Sequence, residues 1–196
     1  MTVGGRDRRW RLAAGGLFVL LASGSIASRR TLWGEVALTE AVNTLPRLVI
    51  DALAVVMQIG TRPAILLVAV TMVVVAPGDW RRAAVAVIVA GTLSWFLADL
   101  AKEVVGRARP IGYSSEISLH DQASGPGFPS AHTAIAAGTF TAAALMARRR
   151  PTAAVVLAAV VGVARMAVGV HLPLDVIGGL GLGVAVAAVV TALVDR

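Results

Sequence analysis

Three short strings carry the polar chemistry of an otherwise apolar chain: KEVVGRARP at residues 102–110, PSAH at 129–132 and RMAVGVHLPLD at 165–175. Six residues separate Lys102 from Arg109-Pro110, Ser130 and His132 flank Ala131, and His171 lies between Arg165 and Asp175. Two cations, a Ser-His pair, and a cation with a second His and a carboxylate suit a site that holds an anion and acts on it. Each string ends an apolar segment, so the number of membrane crossings between them decides whether they meet.

The 196 residues are enough for one domain, and 57% of them are hydrophobic while only 15% are charged. With a mean hydropathy of +0.80, such a chain cannot clothe a soluble surface, and an integral membrane protein is expected. The net charge is +7, but the basic residues come in short clusters between apolar runs. They read as topology signals and argue against a nucleic-acid face. The absence of cysteine excludes disulfides, thiolate catalysis and Cys-based metal sites. Seventeen of the eighteen basic residues are Arg, and the single Lys is Lys102. That exception falls where an anion site favours a compact ammonium over a planar fork.

Outward from the strings, the apolar runs predict six transmembrane helices. Arg6, Arg8, Arg9 and Arg11 precede the first, Leu12 to Ala27, read as a retained signal anchor in preference to a cleaved leader. From Arg29 to Gln58, Glu35, Glu40, Asn43, Arg47 and Asp51 interrupt the apolar residues at helical intervals. This predicts one or two amphipathic helices at the membrane interface between spans one and two. Ala64 to Ala76 is a short second span, which needs extension through Thr61 or a snorkelling Arg62. A turn at 77–82 leads to spans at 83–105, 130–147, 152–170 and 174–194. Gly179 and Gly183 suggest close helix packing. The expected fold is an all-α, six-helix bundle forming one domain over 1–196.

Six spans put the N-terminal Arg cluster, Arg81-Arg82, Arg148 to Arg150 and Arg196 on one side, the cytoplasm. Arg29, Arg30, Arg47 and Arg62 fall outside and strain the rule. All three strings then gather at the extracytoplasmic face.

Lys102 lies at i+3 from Asp99, so an ion pair is expected. Taken singly, Lys102 is as well explained by snorkelling and Arg109 as a loop charge; at this spacing they suggest a cation pair for phosphate. Ser130 is placed to cap the fourth span, whose first-turn N–H groups and dipole favour an anion. His132, an interfacial His on the plainer reading, could there donate a proton to a leaving oxygen. Arg165 inside an apolar helix costs roughly +2.5 to +3.5 kcal/mol near the bilayer centre, less toward an end, which argues for a role. Pro173 fits the first position of span six, and Asp175 near its third can reach back to His171. A carboxylate on one ring nitrogen fixes the tautomer and frees the other for nucleophilic attack. A His-Asp pair that only caps the helix is the plainer alternative. His120, beside Asp121, reads as solvated. A metal on His132, His171 and Asp175 is disfavoured because Lys102, Arg109 and Arg165 would repel it.

The series Lys-x6-Arg-Pro, Pro-Ser-x-His and Arg-x5-His-x3-Asp resembles, in order, the three motifs of the type 2 phosphatidic acid phosphatase family of membrane lipid phosphatases. That resemblance implies six transmembrane helices and a metal-independent, two-step reaction without cofactor. It implies that His171 attacks phosphorus, Asp175 orients His171, and His132 protonates the leaving group. Lys102, Arg109, Ser130 and Arg165 would hold the phosphate, helped by N–H groups near Ala131 and His132. Two positions depart from the family pattern: Ala131 stands where Gly is usual, adding a methyl near the phosphate, and Ala164 replaces Ser. The implied setting is a bacterial inner membrane, with a polyprenyl diphosphate, phosphatidylglycerophosphate or phosphatidic acid as substrate and no nucleic-acid partner; the oligomeric state stays open. A phosphotransferase and a non-catalytic lipid-phosphate binder or transporter are the competing readings. Soluble vanadium-dependent haloperoxidases share the motifs, but the apolar spans argue against them.

Overall fold

The computed structural model describes residues 3–75 and 78–195, and every regular element in them is helical. Eight α-helices follow in order: α1 Val3–Ala27, α2 Trp33–Asn43, α3 Arg47–Val56, α4 Arg62–Val75, α5 Trp80–Val105, α6 Ala131–Met146, α7 Thr152–Ala167 and α8 Pro173–Val194. Short 3₁₀ turns cover Met57–Gly60 and Pro110–Gly112. Ala76 and Pro77 of the second span and its turn, and Arg196 of the cytoplasmic charges, lie outside the described residues.

The expected six spans meet a limit of length. By length and composition α1, α5 and α8 can cross a membrane, and a fourth crossing arises only if α2 and α3 count as one broken span. Helices α4, α6 and α7 have 14, 16 and 16 residues. At about 1.5 Å per residue they fall short of a hydrocarbon core about 30 Å thick. The amphipathic stretch forms two helices whose axes bend by 104°. The bend falls where Pro46, which has no N–H to continue α2, becomes the N-cap of α3.

Helix α8 is the axis of the bundle, with 67% of its apolar window buried against 22% for α1. It packs on α6 and α1 through glycines. A Cβ on Gly179 would lie 2.6 Å from the Ser130 carbonyl oxygen, and one on Gly16 would lie 2.6 Å from that of Gly181. Small residues let these backbones touch where lipid offers no hydrophobic drive. The outward faces are apolar: Phe18, Leu21, Leu66, Leu67, Val70, Val74, Phe96 and Val104 are all exposed. Such a surface is stable against lipid and not against water, and the chain is an integral membrane protein.

The two ends of the bundle differ. At one, buried Arg9 donates to the carbonyls of Thr191 and Leu145 and pairs with Asp195 at 2.8 Å. Expected as an anchor charge, Arg9 also closes the C-terminal ends of α8 and α6, where a cation complements the helix dipole. The other end gathers the C-termini of α1, α5 and α7 with the N-termini of α4, α6 and α8. The three motif strings lie there.

Candidate active site

Helix α5 stops at Gly106, whose left-handed φ of 62° lets its N–H close on the Lys102 carbonyl at 2.8 Å. In the last turn before it, Lys102 pairs with Asp99 at 2.7 Å, as the spacing predicts. The reversal turns Arg107 inward. Its guanidinium donates to Asp175 Oδ1 at 2.8 Å and to Glu35 Oε2 at 2.7 Å, with its side chain fully buried. Those partners offset burial and hold the Arg107 pKa above its usual range. Glu35 also accepts the N–H groups of Leu32 and Leu174. One ionic strut thus joins α2, the 106–130 loop and the start of α8.

Arg109 is a buckle. Its Nε donates to the Gly125 carbonyl, and its terminal nitrogens donate to Val170 at 2.8 Å and Ser124 at 2.9 Å. Two of its five N–H groups stay unspent. The loop then returns through Gly127, whose N–H reaches the Arg107 carbonyl at 2.7 Å, and a cis Phe128-Pro129 bond. Ser130 takes the predicted N-cap position of α6 but makes no side-chain cap bond. Its hydroxyl accepts from Thr133 at 3.0 Å, and its N–H donates to the Asp175 carbonyl at 2.9 Å, fastening the second string to the third.

Helix α7 ends three residues earlier than expected, at Ala167. Gly169, with φ +80°, turns the chain there. Arg165 is therefore in the last turn of α7. It is buried, pairs with Asp121 of the loop, and donates to the Met57 sulfur at 3.2 Å. Asn43 holds the same region by bonding Ser118 in both directions and the Ala167 carbonyl. His171 sits on the Val168–Leu172 turn, 2% exposed, with Nδ1 3.4 Å from Asp175 Oδ2. That oxygen also accepts the Leu172 N–H at 2.9 Å, so Asp175 at the third position of α8 is a fixed acceptor. Burial pushes the His171 imidazole down to about 4, against the support of Asp175, so it is neutral near pH 7.

A cavity of about 480 Å³ opens over this floor. Lys102, Arg109, Ala131, His132, Arg165 and His171 line it, while Ser130 and Asp175 lie fully buried behind. The two imidazoles thus face one space, with four cations around it, Arg62 being the fourth. Ala164 is buried among Val161, Val168 and other apolar side chains. His120 is half-buried, less open than expected, with Nδ1 3.1 Å from Arg47. Among the described residues, no three His, Asp or Glu side chains are grouped to hold a metal ion.

Sequence reasoning missed five residues here. Arg107, Glu35, Asp121 and Asn43 build the frame. Arg62, expected to snorkel, lies 4.8 Å over the Trp95 ring at the cavity wall. Arg107 had a sequence signal, since a cation two residues from Arg109 in an apolar chain needs a partner, and Glu35 had the complementary one. Nothing in the sequence pairs Asp121 with Arg165, 44 positions away.

A family model of the PAP2 superfamily matches residues 82–196, which include every motif residue, and the chain belongs to that superfamily. Lipid A 1-phosphatase of Rhizobium etli is 38% identical over 95 residues, covering 46% of this chain and 41% of the relative. The Rhizobium johnstonii protein of the same description is 37% identical over 95 residues, 46% of this chain and 39% of its own length. The match therefore spans about two fifths of these relatives. The PAP2-type phosphatidylglycerolphosphate phosphatase of Bacillus subtilis has the same fold, with a TM-score of 0.75 at 21% identity over 94% of this chain and 96% of that one. So does Aquifex aeolicus LpxE, at 0.69 and 20% over 83% and 97%.

Proposed function

We infer that this protein is a membrane lipid phosphatase acting on a lipid phosphomonoester or diphosphate through a phosphohistidine. The observation that carries this reading is the buried His171, backed by Asp175 and sharing one cavity with His132, Lys102, Arg109 and Arg165. With Nδ1 toward Asp175, Nε2 carries the lone pair and attacks phosphorus. The bond from phosphorus to the lipid oxygen breaks, and that oxygen takes a proton from His132, whose charged form the phosphate itself favours. Water then gives a proton to His132 and attacks phosphorus, the P–N bond breaks, and inorganic phosphate leaves. Lys102, Arg109, Arg165 and the first N–H groups of α6, at Ala131 and His132, hold the phosphoryl oxygens, where charge builds in the transition state. Ser130 acts from behind, through Thr133 and the Asp175 backbone.

Residues 1–196 act as one domain with six crossings: α1, α4, α5, α6, α7 and α8. The short helices tilt little and rely on bilayer thinning and snorkelling, and α2 and α3 lie at the interface. Arg81, Arg82 and Arg148 to Arg150 sit at the end opposite the site, which supports an extracytoplasmic site in a bacterial inner membrane. Candidate substrates are lipid A 1-phosphate, suggested by the Rhizobium relatives, with phosphatidylglycerophosphate, polyprenyl diphosphate and phosphatidic acid.

The test is a phosphate-release screen over these lipids in detergent with EDTA present. Turnover undiminished by the chelator and abolished by His171→Gln is expected. Release that needs added metal, or that survives His171→Gln, contradicts the mechanism. Label transferred to an acceptor with no free phosphate would favour a phosphotransferase.

A further inference from the structure

Arg165 enters the proposed reaction as a phosphate-holding cation, yet its guanidinium is already engaged. Asp121 Oδ2 lies against its Nη1, with the Met57 sulfur as the only other acceptor recorded for the guanidinium among the described residues. The pairing is built by the loop. Ser118 is bonded in both directions to Asn43, and the His120 N–H donates to the Val168 carbonyl. Arg109 grips Ser124 and Gly125 on the far side. Asp121 Oδ1 accepts the N–H of Gln122 at 2.8 Å, which aims the other oxygen at Arg165. The partners differ in access: the Arg165 side chain is 4% exposed and that of Asp121 33%. Only the carboxylate can swing away without opening the bundle.

We propose that Asp121 is an affinity-setting residue of the site, a carboxylate that stands in for the phosphoryl group on Arg165 and competes with it. A carboxylate and a phosphate oxygen seek the same guanidinium N–H groups. In the empty site Asp121 neutralises Arg165 and keeps a buried cation from standing unpaired. An arriving phosphate displaces it, and after hydrolysis its return to Arg165 helps expel inorganic phosphate. The release step after hydrolysis rests on the phosphatase reading, but the pairing itself concerns phosphate binding alone.

The test measures inorganic phosphate binding to the purified protein by calorimetry, beside turnover, for the wild type, Asp121→Asn and Asp121→Glu. Removing the competing charge should tighten phosphate on the order of tenfold, and the Glu variant should return toward wild type. Phosphate should also inhibit turnover of the Asn variant at correspondingly lower concentration. Phosphate binding that is unchanged or weaker in a folded Asp121→Asn protein overturns the proposal, since Asp121 then only orients Arg165. Tightened binding with no turnover in any protein would reject the phosphatase reading and keep the competition. A wild-type measurement needs no variant. Phosphate should speed hydrogen exchange at the Gln122 amide, which loses its carboxylate acceptor, and unchanged exchange at saturating phosphate counts against displacement.

Discussion

His171 owes its chemical character to burial. Protonating it inside the bundle would put a charge where solvent cannot reach, beside Arg165 and Arg109, so its pKa falls from about 6.5 to about 4. The sign is definite: folding is favoured by neutral His171, and that contribution fades as pH drops from 6.5 toward 4. In nitrogen-labelled protein the His171 ring should stay neutral at pH 6. A His171 midpoint near 6.5 would mean an open site. Arg107 carries a second prediction at this scale. Arg107→Ala leaves Glu35 and Asp175 buried without their cation, a loss of about 3–5 kcal/mol, read as a lower melting temperature in detergent. Phosphate release should fall with it, because Asp175 loses one of the bonds that fix it behind His171. The His171–Asp175 contact was legible in the sequence because His, Asp and Pro fall within one turn. The Glu35–Arg107–Asp175 strut was not, since its members lie 72 and 68 positions apart and the chain gives no sign of which charges meet.

At the scale of elements, glycine decides how close the helices come. Gly183 faces the backbone of Ala134 and the side chain of Ala137, and an added Cβ would lie 2.5 Å from each. Gly183→Leu should cost about 1–3 kcal/mol or more and tilt α6 away from α8, shifting His132 from His171. Gly15, with nothing within 4 Å of such a Cβ, is the matched control, and Gly15→Leu should leave stability and turnover unchanged. Equal effects at both positions would show that close approach is not what these glycines supply. The Gly179/Gly183 pair marked this seam in the sequence. Gly16 against Gly181 went unseen, because both belong to apolar runs without a polar marker. The α7 boundary was misjudged for a related reason: Val168 and Val170 continue the apolar pattern past Gly169, where the backbone turns toward His171.

For the whole molecule, alternation of apolar runs made the helical bundle and the convergence of the motifs legible. It could not fix the number of crossings, since helices of 14 to 16 residues lie near the length limit. A chain without native cysteine makes orientation testable. Leu119→Cys, on the exposed loop at the site end, should react with an impermeant maleimide added to intact cells, and Arg149→Cys should not; the reverse pattern would turn the site to the cytoplasm. The most direct measurement is chemical capture of the intermediate. Brief incubation with a radiolabelled lipid phosphate, quenching in base and peptide mapping should find acid-labile label on His171 in the wild type and none in His171→Gln. Phosphate released at full rate with no label on His171, or label on another residue, would contradict a reaction that passes through the His171–Asp175 pair.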